Sequence, residues 1–77
     1  MNAARRKSIQ EVIDQLTDLQ STVETLKDEE QEAYDNLPEN LQNSERGEAM
    51  SEAADNLDSA YNSFDEILEY LNAAIEG

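Results

Sequence analysis

The side chains able to do chemistry in this chain are almost all carboxylates, and they are unevenly placed. Residues 28 to 77 carry fifteen Asp and Glu against one base, Arg46, whereas residues 1 to 27 hold four acids and four bases. The formal charge of −14 therefore sits in the last two-thirds. A small surface of this kind is repelled by nucleic acid and anionic membrane, and attracted to proteins that bind them. The residues expected to carry that attraction are Glu48, Glu52, Asp55, Asp58, Asp65, Glu66 and Glu69.

Catalysis has little to work with. The 77 residues contain no Cys and no His, which removes the usual thiol nucleophile, the usual base near neutral pH and the commonest zinc ligands. There is no glycine-rich phosphate loop and no Ser beside a recognisable base. Carboxylates on an exposed face ordinarily titrate too low to act as general acids near pH 7. Asp55-Asn56-Leu57-Asp58 has a superficial likeness to a calcium loop, but it lacks the central Gly and alternate spacing of one and lies inside a helical repeat. The expectation is a protein with no enzymatic activity, cofactor or metal.

The acids need a scaffold, and the apolar spacing describes it. With Ile9 as heptad position a, Ile9, Val12, Leu16, Leu19, Val23, Leu26, Ala33 and Leu37 fall at a and d, with Glu30 the one interruption at a. A second run, Met50, Ala53, Leu57, Ala60, Phe64, Ile67, Leu71 and Ala74, repeats a and d. There e is also filled, by Ala54, Tyr61, Leu68 and Ile75, which makes the stripe wide enough to touch a further neighbour. Between the runs Pro38 ends the first helix, and Asn43 or Ser44 can cap the second, with Glu45 and Glu48 near its positive end.

The predicted fold is all-α: an antiparallel two-helix hairpin with a helix over about 3–36, a turn over 37–43 and a helix over about 44–76. Folding back pairs Ile9 with Leu71, Leu16 with Phe64 and Val23 with Leu57, and the alanines at 53, 60 and 74 would let the arms approach closely. Each arm would be about 50 Å long at roughly 1.5 Å per residue. Two such rods bury one stripe each, so self-association into a four-helix bundle or larger is expected, with Ala54, Tyr61, Leu68 and Ile75 as the oligomer interface.

Smaller features carry their own expectations. Arg5, Arg6 and Lys7 would lie beside Glu66, Glu69 and Glu76 in the hairpin, where intramolecular pairing competes with an anion contact. Glu30 is either a buried register device, an ion-pair partner of Arg46, or a group reaching water near the turn. Tyr34, Tyr61 and Tyr70 suit half-wet interfaces, or lid the core. No stretch reaches the roughly 18 apolar residues of a membrane span, and the N-terminus lacks the apolar core of a secretory signal. A cytoplasmic location is expected.

The turn Asn36-Leu37-Pro38-Glu39-Asn40-Leu41-Gln42-Asn43-Ser44-Glu45-Arg46 resembles the N-x-P-E-N-L-Q-x-S-E-R turn of small acidic helical-hairpin proteins of bacteriophages and mobile elements. Those proteins often carry an aromatic next, where this chain has Gly47. The resemblance implies phage origin, and hence residence in the cytoplasm of an infected bacterium, without implying an activity. Together with the acidity it leads to a non-enzymatic inhibitor whose carboxylates mimic nucleic acid and occupy the basic surface of a host protein, such as a defence nuclease of the CRISPR kind. The alternatives are an adaptor that binds partner helices through its apolar stripe, and an oligomer that sequesters an anionic nucleotide signal between Arg5, Arg6 and Lys7. Direct binding of nucleic acid or membrane is not expected.

Overall fold

A computed structural model describes all 77 residues. Helix α1 runs Ala3–Asp35, a single-turn helix α2 runs Glu39–Gln42, and helix α3 runs Glu45–Glu76. α1 and α3 pack against each other, so the chain is a helical hairpin with Cα extents of 58 × 15 × 12 Å.

Each long helix is started by a side-chain cap. Asn2 Oδ1 accepts from the Arg5 amide at 2.7 Å, and Ser44 Oγ accepts from the Gly47 amide at 3.2 Å. These bonds satisfy amides that lack a partner in the first helical turn. α1 stops before Pro38, and the freed carbonyls find a donor in α2: the Gln42 side-chain Nε2 donates to Tyr34 O and Leu37 O, both at 3.3 Å. The peptide expected to form a plain turn therefore contains a short helix, packed on α3 and tied to the end of α1 by the Gln42 side chain.

Gly47 closes this corner. It is buried, and a Cβ there would lie 2.3 Å from Gln42 O and 2.5 Å from Leu41 O. The close neighbour is the backbone of α2, which glycine alone admits without displacement.

The two long helices meet with Arg6 Nε donating to Ile75 O at 3.2 Å and Gln20 Nε2 donating to Tyr61 O at 3.2 Å. Both contacts lie within one residue of the register expected from the apolar spacing. The seam itself differs from expectation. Residues turned inward on α1 are Ile9, Ile13, Leu16, Gln20, Val23, Lys27, Glu30 and Tyr34, which are positions a and e. Val12, Leu19 and Leu26, the d residues expected to face α3, are 44%, 54% and 47% exposed.

On α3 the inward column likewise alternates a with e, through Met50, Ala54, Leu57, Tyr61, Phe64, Leu68, Leu71 and Ile75. The residues expected at an oligomer interface, Ala54, Tyr61, Leu68 and Ile75, thus line the hairpin's own seam, and Ala54 is its most buried side chain at 3% exposure. The physical reason lies in residue size. On α3 the e column offers Tyr, Leu and Ile where d offers mainly Ala, so docking on e buries more apolar area. Ala53 and Ala74 are half-buried and Ala60 is exposed, so the small residue within the seam is Ala54 rather than the alanines of d.

Candidate functional site

The seam position decides what each side of the rod presents. Around a helix the heptad columns follow one another as a, e, b, f, c, g, d, so a seam on a and e puts b and f to one side and d and g to the other. In an antiparallel pair both helices turn the same columns to the same side. The hairpin consequently has two unlike broad faces.

The b and f face is acidic. It gathers ten carboxylates: Asp14, Glu24, Asp28 and Asp35 from α1, and Glu48, Asp55, Asp58, Asp65, Glu69 and Glu76 from α3, with Lys7 the one base in these columns. Of the expected partner-binding residues, Glu48, Asp55, Asp58, Asp65 and Glu69 come together here. Glu52 and Glu66 sit in column c, on the outer edge of α3. Ten charges along rods of about 50 Å give about one per 5 Å, against ~3.4 Å per phosphate in a nucleic-acid strand.

Asp58 and Asp65 are engaged by side chains of α1 that reach across the seam. Lys27 Nζ lies 3.5 Å from Asp58 Oδ1 and 4.0 Å from Asp28 Oδ1. Gln20 Nε2 donates to Asp65 Oδ1 at 2.7 Å. Gln20 and Lys27 are polar residues at seam positions, and each spans the junction to α3 while its stem fills the seam. Tyr61 sits beneath this pair, its ring centre 5.0 Å from Lys27 Nζ. Its pKa is raised above the ordinary 10.0, first by hydrogen bonding to Glu24, then by that carboxylate's charge, by partial burial and by Asp65 and Asp28. The phenol is held neutral in an anionic setting.

The remaining cations make no salt bridge: Lys27 alone, among five Lys and Arg, lies within 4.0 Å of a carboxylate. Arg5, Arg6 and Lys7 are exposed, and Arg6 donates to the carbonyl of Ile75 instead of pairing with Glu66, Glu69 or Glu76. A shallow hollow is bordered by Asn2, Ala4, Arg5 and Ser8. Glu30 is half-buried and makes no ion pair with Arg46. No group of three or more acids is arranged to hold a metal ion, and no helix is long and apolar enough to cross a membrane.

The opposite face, d and g, is not anticipated by the apolar spacing of α1, which predicts Val12, Leu19 and Leu26 inside the seam. Its signal was present in the neighbouring column, where Ser8, Gln15 and Thr22 on α1 and Asn56 and Ser63 on α3 are uncharged. Ile67 is 47% exposed and Tyr70 69% exposed on this side. No protein-family model, curated protein or solved structure matches the chain.

Proposed function

We propose that the hairpin is a non-enzymatic inhibitor, phage-encoded and acting in the cytoplasm of the infected bacterium, that occupies the basic surface of a host nucleic-acid-handling protein with its acidic face. The observation that carries this reading is the row of carboxylates on the b and f columns, met by a cation only where Lys27 touches Asp28 and Asp58. A rod that used these charges for its own stability would place Lys or Arg one turn away, gaining ~0.3 kcal/mol per pair, whereas like charges at that spacing cost a similar amount. Accepting the repulsion fits a surface whose counter-charge comes from a partner. The partner is steered by long-range attraction and blocked sterically, and association slows as salt rises.

The test is affinity capture from a bacterial lysate with three baits: the native chain, a variant carrying Glu48→Gln, Asp55→Asn and Glu69→Gln, and Leu19→Glu. The expected outcome is retention of a nucleic-acid-binding protein by the native chain and by Leu19→Glu, with loss in the neutralised variant. Retention by the neutralised variant and loss with Leu19→Glu would support a second reading, an adaptor that binds partner helices through its apolar side. That reading draws on the exposure of Val12, Leu19, Leu26 and Ile67.

A further inference from the structure

Of nineteen acids in the chain, one, Glu29, falls on the d and g columns; the other charges there are Arg5 and Arg46. A face kept clear of charge in so acidic a molecule, and centred on half-exposed Val12, Leu19, Leu26 and Ile67, has the composition of an interface core. The hairpin also has little interior of its own, since Ile13, Gly47 and Ala54 are its only buried residues. A chain of this size with so thin a core gains stability by association.

We infer that this face is covered by a second copy of the chain, docked antiparallel about a two-fold axis near Leu19 and Ala60 to complete a four-helix bundle. The register places Val12 beside Ile67, Leu19 beside Ala60 and Leu26 beside Ala53 within each copy. Turned end for end, Ile67 of one copy lies over Ala53 of the other, and Val12 over Leu26, so that bulky and small residues interleave on α3. The charged residues of the face find complements at the same time. Arg5 comes within one helical turn of Glu29 of the second copy, and Arg46 within one turn of its Tyr70, where a cation can sit against the ring.

Charge selects this orientation over the parallel one. Docking with both turns at one end would crowd Glu30, Glu32, Asp35 and Glu39 of both copies together. End-for-end docking instead brings Arg5, Arg6 and Lys7 of each copy to the acidic turn end of the other. The two acidic faces then point outward on opposite sides of the bundle, so the dimer requires nothing from the partner-binding face.

The experiment is sedimentation equilibrium of the native chain and of Leu19→Glu, with circular dichroism on both. The native chain is expected at twice its 8.7 kDa mass, and Leu19→Glu as a monomer of unchanged helix content at the same concentration, because Leu19 is exposed within a single hairpin. Orientation is read by pulsed electron spin resonance on a nitroxide at Asn40→Cys in a chain without native cysteine. Antiparallel docking separates the two labels by close to the 58 Å length of the rod, whereas parallel docking holds them nearer its 15 Å width. A native monomer, an undiminished Leu19→Glu dimer, or the short label distance would each overturn the inference.

Discussion

Lys27 Nζ lies 5.0 Å from the centre of the Tyr61 ring, joining the C-terminal half of α1 to the middle of α3 at a seam position that a simple apolar pattern would have filled with Leu. The same ammonium reaches Asp58 at 3.5 Å, so one side chain spans the apolar seam and the acidic face. Lys27→Ala is expected to cost about 1 kcal/mol through loss of the ring and carboxylate contacts. Lys27→Glu should cost about 2 kcal/mol, because it adds a carboxylate beside Glu24, Asp28 and Asp58. Urea denaturation followed by circular dichroism ranks the two, and equal midpoints for all three chains would show that Lys27 is not anchored in the seam.

Gly47 supplies a test of the turn. Replacement by Ala improves helix propensity by about 1 kcal/mol, but its Cβ would stand 2.3 Å from Gln42 O. Displacing that backbone should outweigh the gain, leaving Gly47→Ala about 1 to 3 kcal/mol less stable. Thermal melting decides the sign, and a stabilised variant would mean that the α2 backbone at Leu41 and Gln42 can move aside freely.

Tyr61 ties stability to alkaline pH. Its proton is held more tightly in the folded chain than at the ordinary 10.0, chiefly by Glu24. A raised value on an acidic group means that the neutral form favours the fold, so its contribution is complete below pH 10.0 and is lost as pH rises through the higher folded-state value. Phenolate absorbance should show a tyrosine titrating late, and Glu24→Gln should bring that step back toward 10.0. A titration curve indifferent to Glu24→Gln would contradict the contact.

The hairpin was legible in the sequence because Pro38, the cap at Ser44 and two heptad runs, broken only at Glu30, all specify the same reversal. The choice of seam was not. On α1 the a and d columns are the more apolar, and a reader of α1 alone places Val12, Leu19 and Leu26 inside. The structure follows α3, whose e column carries Tyr61, Leu68 and Ile75 against the alanines of d, and it accepts Gln20 and Lys27 in the seam because each finds a polar partner across it. Relative side-chain volume on two helices at once decides this, and a periodicity count on one helix carries no such information. The acidic face was legible as a set of outward columns, but its gathering onto one side follows from the seam.

Removing acids should stabilise the rod while weakening its partner contacts. Asp55→Asn with Glu69→Gln relieves like-charge repulsion on α3 and is expected to raise the melting temperature at low salt, with the difference shrinking as salt screens the native chain. A variant less stable than the native chain at low salt would show that these carboxylates serve the fold.

The most direct test of the account is displacement. With the host protein recovered on the native bait, a fluorescent oligonucleotide is bound to it and the hairpin is added while anisotropy is followed across a salt series. Release of the oligonucleotide is expected, with an association rate that falls steeply with salt and drops by about 10-fold or more in the Glu48→Gln, Asp55→Asn, Glu69→Gln variant. A stable ternary complex, in which oligonucleotide and hairpin are held together and neutralising the acids changes nothing, would contradict it.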